Sequence, residues 1–99
     1  MNYGAIFPII DSQKKYKFEK CSSPAEFLNQ VIEIYKNDSE LRIQQACLSV
    51  FLAFRDHYPS YLKNLNRSDL ELINYDLKNI DGKVIKLRRL VLSQLSKVA

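Results

Sequence analysis

A chain of 99 residues with one histidine and two cysteines offers few places where chemistry could start. His57 is the only side chain whose ordinary pKa lies near neutrality, so a serine or cysteine nucleophile would need it as its base. It directly follows Arg55 and Asp56. Neighbouring residues on a helix point about 100° apart, so Asp56 and His57 do not make an acid–base dyad on one face. A cation there complements the negative end of a helix dipole instead. Cys21 and Cys47 belong to no Cys-x-x-Cys pair, and tetrahedral zinc takes about four ligands at short spacings. Cys47 lies in the apolar run Ala46-Cys47-Leu48-Ser49-Val50-Phe51 and reads as a small buried hydrophobe. Cys21, beside Ser22-Ser23-Pro24, reads as part of a turn, and two cysteines do not make a secreted disulfide framework. Among the carboxylates, Glu33 and Glu40 fall near helix ends, Asp69 and Glu71 in a cap, and Asp76 and Asp81 on the flanks of an apolar seam. No pair stands out for general acid–base work. The only glycines, Gly4 and Gly82, cannot form a phosphate loop. The sequence therefore predicts no catalytic residue, no metal site and no cofactor: a non-enzymatic protein.

Charge is more informative. The net charge of +4 is compatible with an anionic partner and equally with simple solubility. Its distribution is uneven. Residues 69–81 hold Asp69, Glu71, Asp76 and Asp81 against Lys78, whereas residues 82–99 hold Lys83, Lys86, Arg88, Arg89 and Lys97 and no acid. Acids first and bases last suit a helix dipole. The same order would let two copies pair antiparallel, each acidic half against the other's basic half. It would also let Lys83, Lys86, Arg88 and Arg89 contact the phosphates of a nucleic acid, joined by Lys14, Lys15, Lys17 and Lys20. Base readout would also require side chains such as Asn or Gln on an exposed recognition face, and no such face is apparent.

The elements that would position these residues are mostly helical. Residues 3–21 read as extended: Ile6, Phe7, Ile9 and Ile10 are broken by Pro8, and Tyr16 and Phe18 alternate with Lys15, Lys17 and Glu19 at period two. This predicts a β-hairpin. Ser23-Pro24-Ala25-Glu26 combines an N-cap serine, a proline at the first helical position and a glutamate at the third. A helix over about 24–36 follows. The next, over about 40–57, is apolar nearly all round and is expected to be central. Pro59 ends it, and Tyr61, Leu62 and Leu65 suggest a short helix over about 60–65.

Ser68-Asp69-Leu70-Glu71 reads as a second capping box that opens a helix over 69–97. Leu70, Ile73, Leu77, Ile80, Val84, Leu87 and Val91 are spaced alternately by three and four, a heptad seam with Gly82 on the opposite face. Such a helix would be about 44 Å long, against a diameter of very roughly 35 Å for a compact domain of this size. Either it breaks at Asp81-Gly82, or it projects and pairs. Asp-Gly between apolar runs is also a hairpin-turn signal, and an intramolecular bundle contact carries the same spacing. The expectation is one domain over 1–99: a mostly α, small helical bundle with an N-terminal β-hairpin (3–21) and a long amphipathic C-terminal helix. Its expected role is a protein–protein interaction or regulatory module. The expected partner is a second copy, as an antiparallel homodimer through the seam, or a larger protein; nucleic acid is the alternative. No run approaches the ~20 apolar residues of a membrane span, and the N-terminus shows no signal-peptide pattern. A cytoplasmic protein without membrane contact is expected.

Overall fold

The computed structural model describes residue 21 and residues 23–98. Five α-helices follow one another: α1 (Pro24–Asn37), α2 (Leu41–His57), α3 (Pro59–Leu62), α4 (Arg67–Asp76) and α5 (Gly82–Val98), with a 3-10 turn over Leu77–Asn79 between the last two. Among the described residues there is no strand. The expected hairpin over 3–21 lies, apart from Cys21, outside the described residues.

Helix α1 starts as its sequence predicts. Ser23 is the N-cap, its Oγ accepting from the Glu26 backbone N–H at 3.2 Å, and Pro24 takes the first turn, where its missing N–H costs nothing. Phe27, Leu28, Val31, Ile32 and Ile34 form its buried face. The chain reverses at Asp38, whose carboxylate accepts from the Glu40 N–H at 2.9 Å while its carbonyl accepts from the Gln44 side chain at 3.2 Å. Helix α2 is central. Ile43, Ala46, Cys47 and every residue from Ser49 to Phe54 are buried, leaving no solvent-facing stripe through its middle. Its one fully buried hydroxyl, Ser49, is satisfied by the Ala46 carbonyl at 2.6 Å. Around its C-terminal end the Phe54 ring meets Phe27, Tyr58 and Tyr61 at centroid distances of 6.2, 6.0 and 6.2 Å, so α1, α2 and α3 converge on one aromatic cluster.

The long C-terminal helix is overturned. The helix that begins at Arg67 ends at Asp76, tightens into the 3-10 turn and stops at Ile80, whose backbone is extended (φ −81°, ψ 145°). A new helix starts at Gly82. The cause is Asp81: its Oδ1 accepts from the backbone N–H groups of Lys83 and Val84, both at 3.0 Å, and so caps α5. A short acidic side chain that bonds the backbone just ahead of it competes with helix continuation. The described residues extend 29 Å along their longest axis, too short for a helix of about 44 Å. The second start also moves. Asn66, not Ser68, is the N-cap of α4, its Oδ1 accepting from the Asp69 N–H at 2.8 Å, and Ser68 donates to that same oxygen.

Helix α5 packs chiefly on α2. Asp81 Oδ2 accepts from Gln45 Nε2 at 2.8 Å, and Arg88 Nη1 donates to Asp56 Oδ2 at 3.1 Å. The two contacts ascend together along both helices, so α5 runs in the same sense as α2. Gly82 faces open space: a Cβ there would meet nothing within 4 Å.

Phe54→Ala should lower unfolding stability by about 3–5 kcal/mol, because a fully buried ring in a shared cluster leaves a cavity. Gly82→Ala should raise stability by about 0.4–1 kcal/mol through the unfolded chain. Urea unfolding midpoints check both, and the two shifts must have opposite signs.

Candidate functional site

The seven seam residues all turn into the core of their own chain. Ile73, Leu77, Val84 and Val91 are buried, and Leu70, Ile80 and Leu87 pack partly exposed against the same cluster. The alternation of three and four thus continues across the break, because both helices present one stripe to α2. A pairing surface built from these residues would have to leave the core.

The four cations divide. Lys83, Lys86 and Arg89 are exposed. Arg88 is held by Asp56, whose other oxygen lies 3.6 Å from Arg55 Nε. The Arg88 Nε is buried without a partner. An acid one residue from the end of α2 opposes the helix dipole, and the two guanidinium groups offset it. His57 is exposed at the last position of α2.

Both thiols are free and buried. Burial, reinforced by the charge of Asp38, pushes the Cys47 thiol up to about 12. Burial and then the charge of Glu26 raise Cys21. Neither is a nucleophile in this state, since only the thiolate attacks. Among the described residues no group of His, Cys, Asp and Glu could hold a metal ion. No helix among them is long and apolar enough to cross a membrane.

What the sequence reading missed is a groove of about 530 Å³ where the end of α1, the first half of α2 and the end of α4 meet. Tyr35, Leu48, Leu72 and Tyr75 give it apolar surface; Lys36, Gln44, Asp76 and Asn79 give it polar edges. Two bonds fix its shape. The Tyr35 hydroxyl donates to Asp76 Oδ2 at 2.5 Å, joining α1 to α4, while its ring meets Phe51 edge-on at 5.9 Å. Lys36 Nζ pairs with the buried Asp69 carboxylate at 2.5 Å. Burial, followed by the hydrogen bond to Asp76 and its charge, raises the Tyr35 pKa well above the usual phenol range. The hydrogen bond from Lys36 to Asp69 raises the lysine likewise, against a smaller opposing effect of burial. Both side chains therefore hold the groove in place as fixed donors. The signal for it was present: Leu72 and Tyr75 are apolar but fall outside the 3,4 seam, and Tyr75 is 69% exposed. Leu41, also 69% exposed, stands two turns before Leu48 on the same side of α2.

Compared with known protein families, with curated proteins and with solved structures, the chain matches none of them.

The Asp81 carboxylate is held below its ordinary value of 3.8, first by the Val84 N–H and then by the Gln45 amide, with the Lys83 N–H and charge adding to them against burial. A depressed folded-state pKa adds stability above the unfolded value, and that stability is lost as pH falls through the folded one. The urea midpoint of the wild type should therefore exceed that of Asp81→Asn at pH 6, and the gap should close as pH drops below 3.8. A gap independent of pH would show that the charge of Asp81 contributes nothing.

Proposed function

We propose that the protein is a small non-enzymatic module for protein–protein interaction or regulation, and that a partner segment docks in the groove between α1, α2 and α4. The observation that carries this reading is Tyr75. A tyrosine 69% exposed at the edge of a groove, with Leu72 beside it, Leu41 exposed on α2 and only the Lys78 ammonium over its ring at 6.0 Å, is an aromatic anchor left largely in water. Aromatic side chains rimmed by polar groups dominate binding energy at protein interfaces. The trough is open, whereas small-molecule pockets bury most of their ligand; a protein segment is the better fit. The non-enzymatic part rests on chemistry. Tyr35 is held as a neutral phenol, and its partner Asp76 is engaged by that same hydroxyl.

The test is retention of proteins from the native host at low salt, with nuclease present, on immobilised wild type and on the exposed double variant Leu72→Lys/Tyr75→Glu. Wild type should retain a defined partner, and the variant should lose it at an unchanged thermal midpoint. Equal retention by both overturns the groove. Sedimentation of the protein alone at micromolar concentration separates a second copy from another protein as the occupant.

A further inference from the structure

The outer side of α5 is a second surface and shares no residue with the groove. At 100° per residue, Gly82, Lys86, Arg89 and Ser93 fall within about 60° of one another, opposite Val84, Leu87 and Val91. All four are exposed. Ile85 and Leu90, 39% and 50% exposed, stand on opposite flanks of that stripe, about 140° apart on the same wheel. Lys86 and Arg89 have no carboxylate within ion-pair distance among the described residues, and the sequence from 82 to 98 contains no acid. Lys83, on the flank beside Leu90, is close enough to Asp81 to help lower its pKa. Its charge is thereby partly offset.

We propose that this stripe contacts the phosphate backbone of a nucleic acid, with Lys86 and Arg89 as the main contacts and Lys83 a weaker one, and without reading base sequence. Three features select this occupant. Two unpaired cations with only Gly82 and Ser93 between them allow close approach of an anion to the helix surface. An anionic membrane would need one apolar face to insert, and the exposed apolar residues are split across opposite flanks. A docked acidic protein segment would need an apolar anchor at the centre of the contact, where α5 has glycine, serine and charge. Sequence readout is not part of the proposal, because Lys86 and Arg89 are assigned to phosphates rather than to guanine edges and the stripe carries no Asn or Gln to address adenine. Arg88 takes no part, because Asp56 already neutralises it.

Counterion release supplies the measurement. Each phosphate neutralised on duplex DNA adds about 0.9 to the negative slope of log K against log salt. Titrating a labelled duplex of about 20 base pairs between roughly 50 and 200 mM salt gives that slope for wild type, Lys86→Gln and Lys86→Gln/Arg89→Gln. The slope should become shallower by about 0.9 with each substitution. Two duplexes of unrelated sequence should bind within about twofold of each other, and Arg88→Gln should keep the wild-type slope. Because the measurement is a difference between variants, cations elsewhere in the chain do not affect it. The proposal is overturned if the duplex fails to bind at the lowest salt, or if the slope ignores both substitutions. It is equally overturned if phosphatidylserine vesicles or polyglutamate bind as tightly as the duplex with the same dependence on Lys86 and Arg89. The groove variant Leu72→Lys/Tyr75→Glu should bind the duplex normally, so failure of either surface is separable from failure of the other.

Discussion

A helix with no polar face cannot lie at a surface. Helix α2 buries Ile43, Ala46, Cys47 and all residues from Ser49 to Phe54, and each large apolar side chain among them gains roughly 1.5–3 kcal/mol by leaving water. That requirement must be met from every side, and no single neighbouring helix can wrap a cylinder. Four other helices therefore surround it, each presenting one stripe. The break at Leu77–Asp81, fixed by the Asp81 cap, divides that cover between α4 and α5.

Polar links set the register of this wrapping more than its strength. Tyr35 to Asp76, Lys36 to Asp69, Gln45 to Asp81 and Asp56 to Arg88 each join two elements far apart in the chain. A partly exposed pair such as Asp56–Arg88 contributes at most about 1 kcal/mol, less than one buried phenylalanine. Yet each is specific in partner and position, so together they choose one arrangement among several that would bury similar area. The groove depends on two of them: the Tyr35 and Lys36 bonds tie the end of α1 to α4.

Much of this was legible from residue spacing. The Ser23-Pro24 start, the all-round apolarity of α2 and the stop at Pro59 are local signals, and local physics decided them. The heptad seam was legible as a buried stripe but not as a continuous helix. Its 3,4 spacing records which side of the chain faces α2, and two helices on one core preserve it across a turn. Asp81 could not be assigned as a cap from sequence alone, since Asp-Gly serves a hairpin turn equally well. Its bond to Gln45, thirty-six residues away, tips the choice. The groove was only faintly legible because its lining comes from three helices. Only the off-seam apolar positions Leu72 and Tyr75 hinted that something lay outside the core.

The parallel run of α2 and α5 has a bearing on how the chain is made. The longest apolar helix closes at His57, whereas the helix that covers it most extensively begins at Gly82. On a ribosome, the centre of the future core emerges before its principal cover has been synthesised. A nascent chain at that stage leaves the side of α2 that α5 will cover unshielded, the kind of exposed apolar surface that aggregates or recruits a chaperone. Because α5 must then dock alongside a helix already laid down, rather than zip up as a local hairpin, completion of this small protein is a late, long-range event.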